Sequence, residues 1–166
     1  ETQLFDSDFE SGAPGWEFDQ RGWSIVQAGE SKALRGEGHV HAQADGNWGE
    51  VGWRLLVKLV RGDVHLNFHW RDSNRYLVSF NENGINVKRN PQSAMGMGSS
   101  GIRHTLGEWH VVEIGLQKDL FYVAVDGYLE IEQTEPDPLP PGAIWLEVLD
   151  DSEVLFDEIF VCKPGA

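Results

Sequence analysis

One cysteine, Cys162, occurs among the 166 residues. No intrachain disulfide can form, so the fold must rest on an apolar core and, at most, on a metal. Basic residues are scarce too: 13 Lys and Arg are scattered among 27 Asp and Glu, for a formal net charge of −14. Neutralising phosphate takes clustered bases. The balance therefore argues against nucleic acid and anionic membranes and favours a neutral polymer or a cation as partner. No apolar run approaches the ~18 residues that read as a membrane span. Amphipathic helical patterns longer than a turn or two are missing, and so is any internal repeat. The chain starts at Glu1 with neither Met nor an apolar leader, as expected of a module cut from a larger protein or of a chain whose signal peptide has been removed.

What is present is the pattern of strands. Hydrophobic residues make up 40% and Gly 19 positions, a composition suited to one globular, turn-rich domain over 1–166. In Asp63–Arg71, Val64, Leu66, Phe68 and Trp70 alternate with His65, Asn67, His69 and Arg71, the period of a half-buried antiparallel strand. Gly52–Val60 alternates in the same way. Further strands are predicted at Trp23–Gln27, Val40–Ala44, Arg75–Phe80, Ile85–Lys88, Trp109–Gln117, Leu120–Val125, Tyr128–Gln133 and Ala143–Val148. Arg61-Gly62, Asn83-Gly84, Asp126-Gly127 and Pro140-Pro-Gly142 punctuate them. Short strands separated by such turns predict an all-β sandwich or barrel. Asn90–Gly101 reads as one long polar loop.

The two ends of the chain carry matching acidic motifs, Phe9-Glu-Ser-Gly12 and Phe156-Asp-Glu-Ile159. A strand must find partners for its backbone N–H and C=O groups, so the ends are expected to pair. This pairing resembles the β-jelly-roll carbohydrate-binding modules and the wider concanavalin-like lectin and glucanase superfamily. The succession Tyr76–Phe80, Asn83–Lys88, Glu108–Val112 and Phe121–Gly127 is similar to the middle of a laminin-G-like or concanavalin-like sandwich. There a Trp-His opens one strand and a Val-Asp-Gly hairpin follows. The resemblance covers nearly the whole chain. It implies an antiparallel β-sandwich of jelly-roll type and non-catalytic binding of a polysaccharide or oligosaccharide by a secreted, bacterial, monomeric module. The same superfamily leaves two alternatives, a glycoside hydrolase or lyase and a laminin-G-like adhesion module.

Calcium takes six to eight oxygen ligands, and the resemblance implies a structural Ca²⁺ tying the first strand to the last. Carried over, its ligands are Glu10 and Asp157, with a carbonyl from the Gly29–Lys32 turn. Retaining hydrolases of the superfamily need two carboxyls ~5–5.5 Å apart. Glu130, Glu132 and Glu135 have the acidic spacing, but Gln133 and Thr134 are polar where the family-16 hydrolases have apolar residues. These acids are read as solvated strand and turn positions, and the chain as a non-enzyme. His39 and His41, and His65 and His69, form pairs only. A transition metal needs three or four converging ligands, so they are read as polar-face histidines without a metal.

Sugar sites in such sandwiches combine aromatic platforms with planar polar side chains. The polar set His65, Asn67, His69 and Arg71, with Asn86 and Lys88, is the candidate binding face, and Tyr76 or Trp48 the candidate stacking surface. Of the seven Trp, Trp53 and Trp70 fall in register with core residues, whereas Trp16, Trp23 and Trp48 are the ones expected to be exposed.

Overall fold

A computed structural model describes residues 2–19, 21–91 and 97–163. Its fifteen strands are β1 (Thr2–Ser7), β2 (Trp16–Phe18), β3 (Trp23–Ala28), β4 (Ser31–Glu37), β5 (Val40–Trp48), β6 (Gly52–Arg61), β7 (Val64–Arg71), β8 (Asn74–Asn81), β9 (Gly84–Asn90), β10 (Ser99–Ser100), β11 (Trp109–Gln117), β12 (Leu120–Val125), β13 (Tyr128–Thr134), β14 (Gly142–Val148) and β15 (Glu153–Lys163). They form two antiparallel sheets. The eight-stranded sheet runs β13-β12-β11-β6-β15-β4-β3, with β1 beside β15; the seven-stranded sheet runs β10-β9-β8-β7-β14-β5-β2. No described helix is long and apolar enough to cross a membrane.

The ends of the chain do pair, from Thr2 opposite Lys163 to Ser7 opposite Ile159. β4 was not legible in sequence. It pairs with Glu153–Phe156, and β1 takes over along the rest of β15. Its Arg35 and Glu37 point outward into an ion-pair network with Arg61 and Glu153. The end of the expected Asn90–Gly101 loop is β10, paired with Asn86 and Ile85; residues 92–96 lie outside the described residues.

The inner faces of the two sheets enclose the core, in which Trp53, Phe68, Phe80, Phe121 and Phe156 are fully buried. Truncating one such aromatic to Ala costs about 3–5 kcal/mol. Trp16, expected outside, is buried, and its Nε1 donates to Ser7 Oγ at 3.1 Å. Trp23 and Trp48 are half-buried against the core, Trp48 on Phe5 with ring centroids 5.6 Å apart.

The strict alternation expected of β7 breaks after Phe68. His69 adopts the left-handed conformation (φ 54), and the register with β8 shifts between Phe68 and Arg71. An extra residue in a ladder moves every later side chain to the opposite face. His69, expected on the polar face, is 1% exposed inside the core, and Trp70, expected inside, lies on the outer face. Gly142 accommodates this bulge where β14 passes it: a Cβ there would lie 2.6 Å from Trp70 O.

Candidate functional site

Three central strands of the seven-stranded sheet present polar and aromatic side chains outward. On β5, Val40, Ala42 and Ala44 point into the core, which sends His41 and Gln43 out; on β14, Ile144, Leu146 and Val148 do the same for Trp145 and Glu147. The register sets His41, Glu147 and His65 in one row across the sheet and Gln43, Trp145 and Asn67 in the next. The bulge adds Trp70 beside them.

Glu147 is the electrostatic centre of the first row. His65 Nδ1 lies 2.7 Å from its Oε1 and Arg75 Nη1 3.5 Å from the same oxygen, while His41 Nε2 lies 3.2 Å from Oε2. Burial alone would raise the pKa of this carboxyl. The His65, His41 and Arg75 interactions outweigh it and hold the group at about 2, ionised at neutral pH.

The second row is aromatic. Trp145 stacks with His41 on one neighbouring strand (4.5 Å, 21°) and with Trp70 on the other (4.0 Å, 29°). The Arg75 guanidinium lies over both indoles, 5.8 Å from Trp70 and 5.6 Å from Trp145, close enough for cation–π attraction. Two cavities flank the stack. One of about 500 Å³ is lined by Gln43, Asp45, Gly46, Trp70, Arg71, Asp72 and Ala143. The other, of about 150 Å³, is lined by Glu17, Phe18, Asp19, His41, Gln43 and Trp145. The larger lies within the usual size of a ligand pocket, roughly 300–1,000 Å³.

The sequence-derived candidates separate on this surface. His65 is on it, bonded to Glu147. Asn67 faces the same way but is fully buried beneath it. Its Nδ2 donates to Trp145 O (3.2 Å) and its Oδ1 accepts from Arg75 (3.0 Å), so it positions Arg75 instead of reading a ligand. Arg71 lines the larger cavity, held by Pro141 O at 3.0 Å and Asn47 Oδ1 at 2.7 Å. Asn86 and Lys88 are exposed on β9, two strands beyond β7. Three placements need correction. The His69 ring bonds Leu139 O and Gly49 O, each at 2.9 Å, inside the core, and burial pushes its pKa down. Tyr76 is fully buried, its hydroxyl accepting from Leu139 N at 2.8 Å; burial drives its pKa up, and it offers no stacking surface. Trp48 packs on Phe5 in the core's margin, half-buried, and among the described residues it makes no ring contact with Trp70 or Trp145.

The acidic spacing at Glu130, Glu132 and Glu135 does not converge. It lies on and after β13, at the edge of the other sheet. The Glu130 side chain is buried, bonded to His104 Nε2 (2.8 Å) and Ser100 Oγ (2.7 Å); Glu132 is exposed; Glu135 is buried against Arg89 at 2.9 Å.

At the seam between the chain ends, Asp157 is 5% exposed and accepts from Glu158 N at 2.8 Å. Burial raises its pKa to about 6, with Glu158, Glu10 and Asp8 adding to the rise against the Glu158 N–H. Glu10 lies in the turn after β1, not in the strand itself, and its Oε1 accepts from Lys32 N at 2.8 Å. Backbone turns frame both acids: Phe9 has φ 60 and Glu158 φ 47, beside a register shift between Asp157 and Phe160. A carboxyl driven up by burial, with acidic neighbours adding to the rise, is one whose charged form a cation would favour. No three carboxylates or imidazoles converge here among the described residues, so Ca²⁺ would draw its remaining ligands from carbonyls and water.

No family model and no curated protein matches the chain. Solved structures do. The carbohydrate-binding module CBM66 from Bacillus subtilis aligns with TM-score 0.69 at 13% identity, over 89% of this chain and 95% of that one. Domain 4 of AbnA, an extracellular GH43 arabinanase from Geobacillus stearothermophilus solved in complex with arabinotriose, aligns with TM-score 0.74 at 12% identity, over 98% and 92%. A Bacillus licheniformis β-glucanase aligns with TM-score 0.75 at 10% identity, over 99% of each chain. By strand order, two-sheet packing and these likenesses, the chain has the concanavalin-like jelly-roll fold.

Proposed function

We propose that this chain binds an extracellular polysaccharide or oligosaccharide, without cleaving it, on the outer face of the seven-stranded sheet around Trp70 and Trp145. The observation that carries the reading is the Trp70–Trp145 stack roofed by Arg75 and bordered by the 500 Å³ cavity with Gln43, Asp45, Arg71 and Asp72 on its walls. Indole surfaces pack against the C–H groups of a sugar ring, and planar amide, carboxylate and guanidinium groups bond its hydroxyls in pairs. Such a site is concave and part apolar with a few placed polar groups. The shared fold of a carbohydrate-binding module and of an arabinanase domain in complex with arabinotriose supports a sugar ligand.

A non-catalytic role is supported by the carboxylates. Glu130 is bonded to His104 and Ser100, Glu132 is exposed and Glu135 is paired with Arg89, on and after an edge strand of the other sheet. Glu147, the buried acid of the face, is ionised and engaged by two imidazoles, so it carries no proton to give a leaving group. Calcium at Glu10 and Asp157 belongs to the same reading, as a brace between the chain ends.

A glycan array followed by titration calorimetry tests the binding. Trp70→Ala should weaken the best ligand by about 2 kcal/mol or more, as for an aromatic hot spot, while the melting temperature stays near that of the parent. Undiminished binding in Trp70→Ala and Arg71→Ala together would place the sugar elsewhere.

A further inference from the structure

His39, His41 and Glu147 bring three possible ligand atoms within 4.8 Å of one another. His39 lies in the bend just before β5 and His41 on β5, their rings 5.5 Å apart, and Glu147 is directly opposite His41 on the neighbouring strand. Both imidazoles turn Nε2 toward the same carboxylate oxygen, Oε2 of Glu147, at 3.6 Å from His39 and 3.2 Å from His41. Ligands about 2.0–2.1 Å from a tetrahedral zinc ion sit about 3.3 Å from each other. The distances between imidazole and carboxylate atoms therefore already match the edges of that polyhedron.

The surroundings supply what such a site needs beyond its ligands. A metal-bound imidazole almost always gives its other nitrogen to a carboxylate or carbonyl, which fixes the ring and its tautomer. His41 Nδ1 bonds Asp19 Oδ2, and His39 Nδ1 lies 3.6 Å from Asp150 Oδ1. Asp19 also accepts from His41 N at 3.0 Å, so it holds both the ring and the strand. Glu147 is anchored through its second oxygen by His65 and Arg75, which leaves Oε2 to the two imidazoles. Three carboxylates, Glu147, Asp19 and Asp150, stand against the single guanidinium of Arg75 on the Oε1 side.

We infer that His39, His41 and Glu147 bind one divalent transition-metal ion of the zinc class, with Asp19 and Asp150 positioning the imidazoles. Two imidazoles and one carboxylate leave a fourth position for water, the ligand count of an open zinc site. Imidazole favours zinc, copper or nickel over calcium and magnesium, which prefer all-oxygen sets. The site is distinct from Glu10 and Asp157 in location and in ligand chemistry, and it does not depend on the carbohydrate reading.

The test is equilibrium dialysis and calorimetry of the whole chain with zinc chloride, in calcium-containing buffer without glycan. One equivalent of zinc should bind saturably. His39→Ala, at an exposed position, and His41→Ala should each weaken it at least tenfold, and Asp19→Asn about tenfold, the usual cost of losing an outer carboxylate. Cobalt substituted for zinc should give the visible absorption of a four-coordinate ion, lost in His39→Ala. Glu10→Gln should leave zinc binding unchanged. Absence of a saturable equivalent in the parent, or weakening below tenfold in both His variants, overturns the inference. Because glycan is left out, neither result bears on the sugar site.

Discussion

Glu147 and Asp157 are buried to nearly the same degree, 8% and 5% exposed, yet their carboxyls are driven in opposite directions, to about 2 and about 6. Burial pushes both upward. Around Glu147 this is overcome by His65, His41 and Arg75; around Asp157 it is reinforced by Glu158, Glu10 and Asp8. Depth alone therefore says nothing about the charge of an acid in this fold. The company brought by neighbouring strands decides it. The outer face of the seven-stranded sheet supplies partners for a carboxylate, while the seam between the chain ends gathers further acids around Asp157.

The largest expected break in this comparison is Glu147→Gln. It strips His65, His41 and Arg75 of their common carboxylate and should cost about 3 kcal/mol at pH 7, the range for breaking a buried charged pair. Urea unfolding measures it, and an unchanged midpoint would mean that the neighbours do not hold the acid. Asp157→Asn should act the other way. With EDTA present at pH 7 the ionised carboxylate opposes folding, and removing its charge should add about 2 kcal/mol, somewhat under the full value of its pKa shift. Added Ca²⁺ should stabilise the parent by about 2.7 kcal/mol at a hundredfold excess over Kd and leave the Asn variant unmoved, with Mg²⁺ a poor substitute. A parent whose melting is the same in EDTA and in calcium would remove calcium from the account.

The two shifts also predict opposite pH limbs in EDTA. The pKa of Asp157 is raised above 3.8 on folding, so its contribution is greatest below that value and is lost as pH rises toward about 6. The pKa of Glu147 is depressed below 4.5, so its contribution is full above that value and is lost as pH falls toward about 2. Melting curves of parent and variants across this span should show the Asp157→Asn gain growing from about pH 4 to 6 and the Glu147→Gln loss shrinking below about pH 4.5. Limbs of the same sign would defeat the comparison. The smallest effects belong to Asn86→Ala and Lys88→Ala. Exposed two strands beyond β7, each should change glycan binding by less than about 0.5 kcal/mol. A loss as large as that of Trp70→Ala would move the ligand over β8 and β9.

Alternation singled out the outer face of the seven-stranded sheet but misplaced some of its side chains. Alternation in Asp63–Arg71 pointed to the outer surface and picked out His65, but it continued through a bulge that turns His69 inward and Trp70 outward. No residue in that stretch announces the bulge, although His is among the residues that tolerate positive φ. Trp145 and Glu147 alternate with Ile144, Leu146 and Val148 plainly enough to be placed outside. What their pattern could not disclose is that Trp145 stacks on Trp70 and His41. Tyr76 was misread for a related reason: a phenol suits a sugar platform, but its hydroxyl here satisfies Leu139 N in the core.

By itself the sequence determined the all-β character, the strands with one apolar face each and the acidic charge balance. Each of these rests on local periodicity or on composition, which need no knowledge of neighbours. The sandwich alone decided which side chains meet. Glu147 touches His65, Arg75 and His41 across 82, 72 and 106 residues of chain. Its charge, the tryptophan stack beside it and the cluster of imidazoles over it exist only once β5, β14, β7 and β8 lie side by side. Electrostatic interaction and ring contact act over a few ångströms of space, and strand order and register, not sequence distance, set those ångströms.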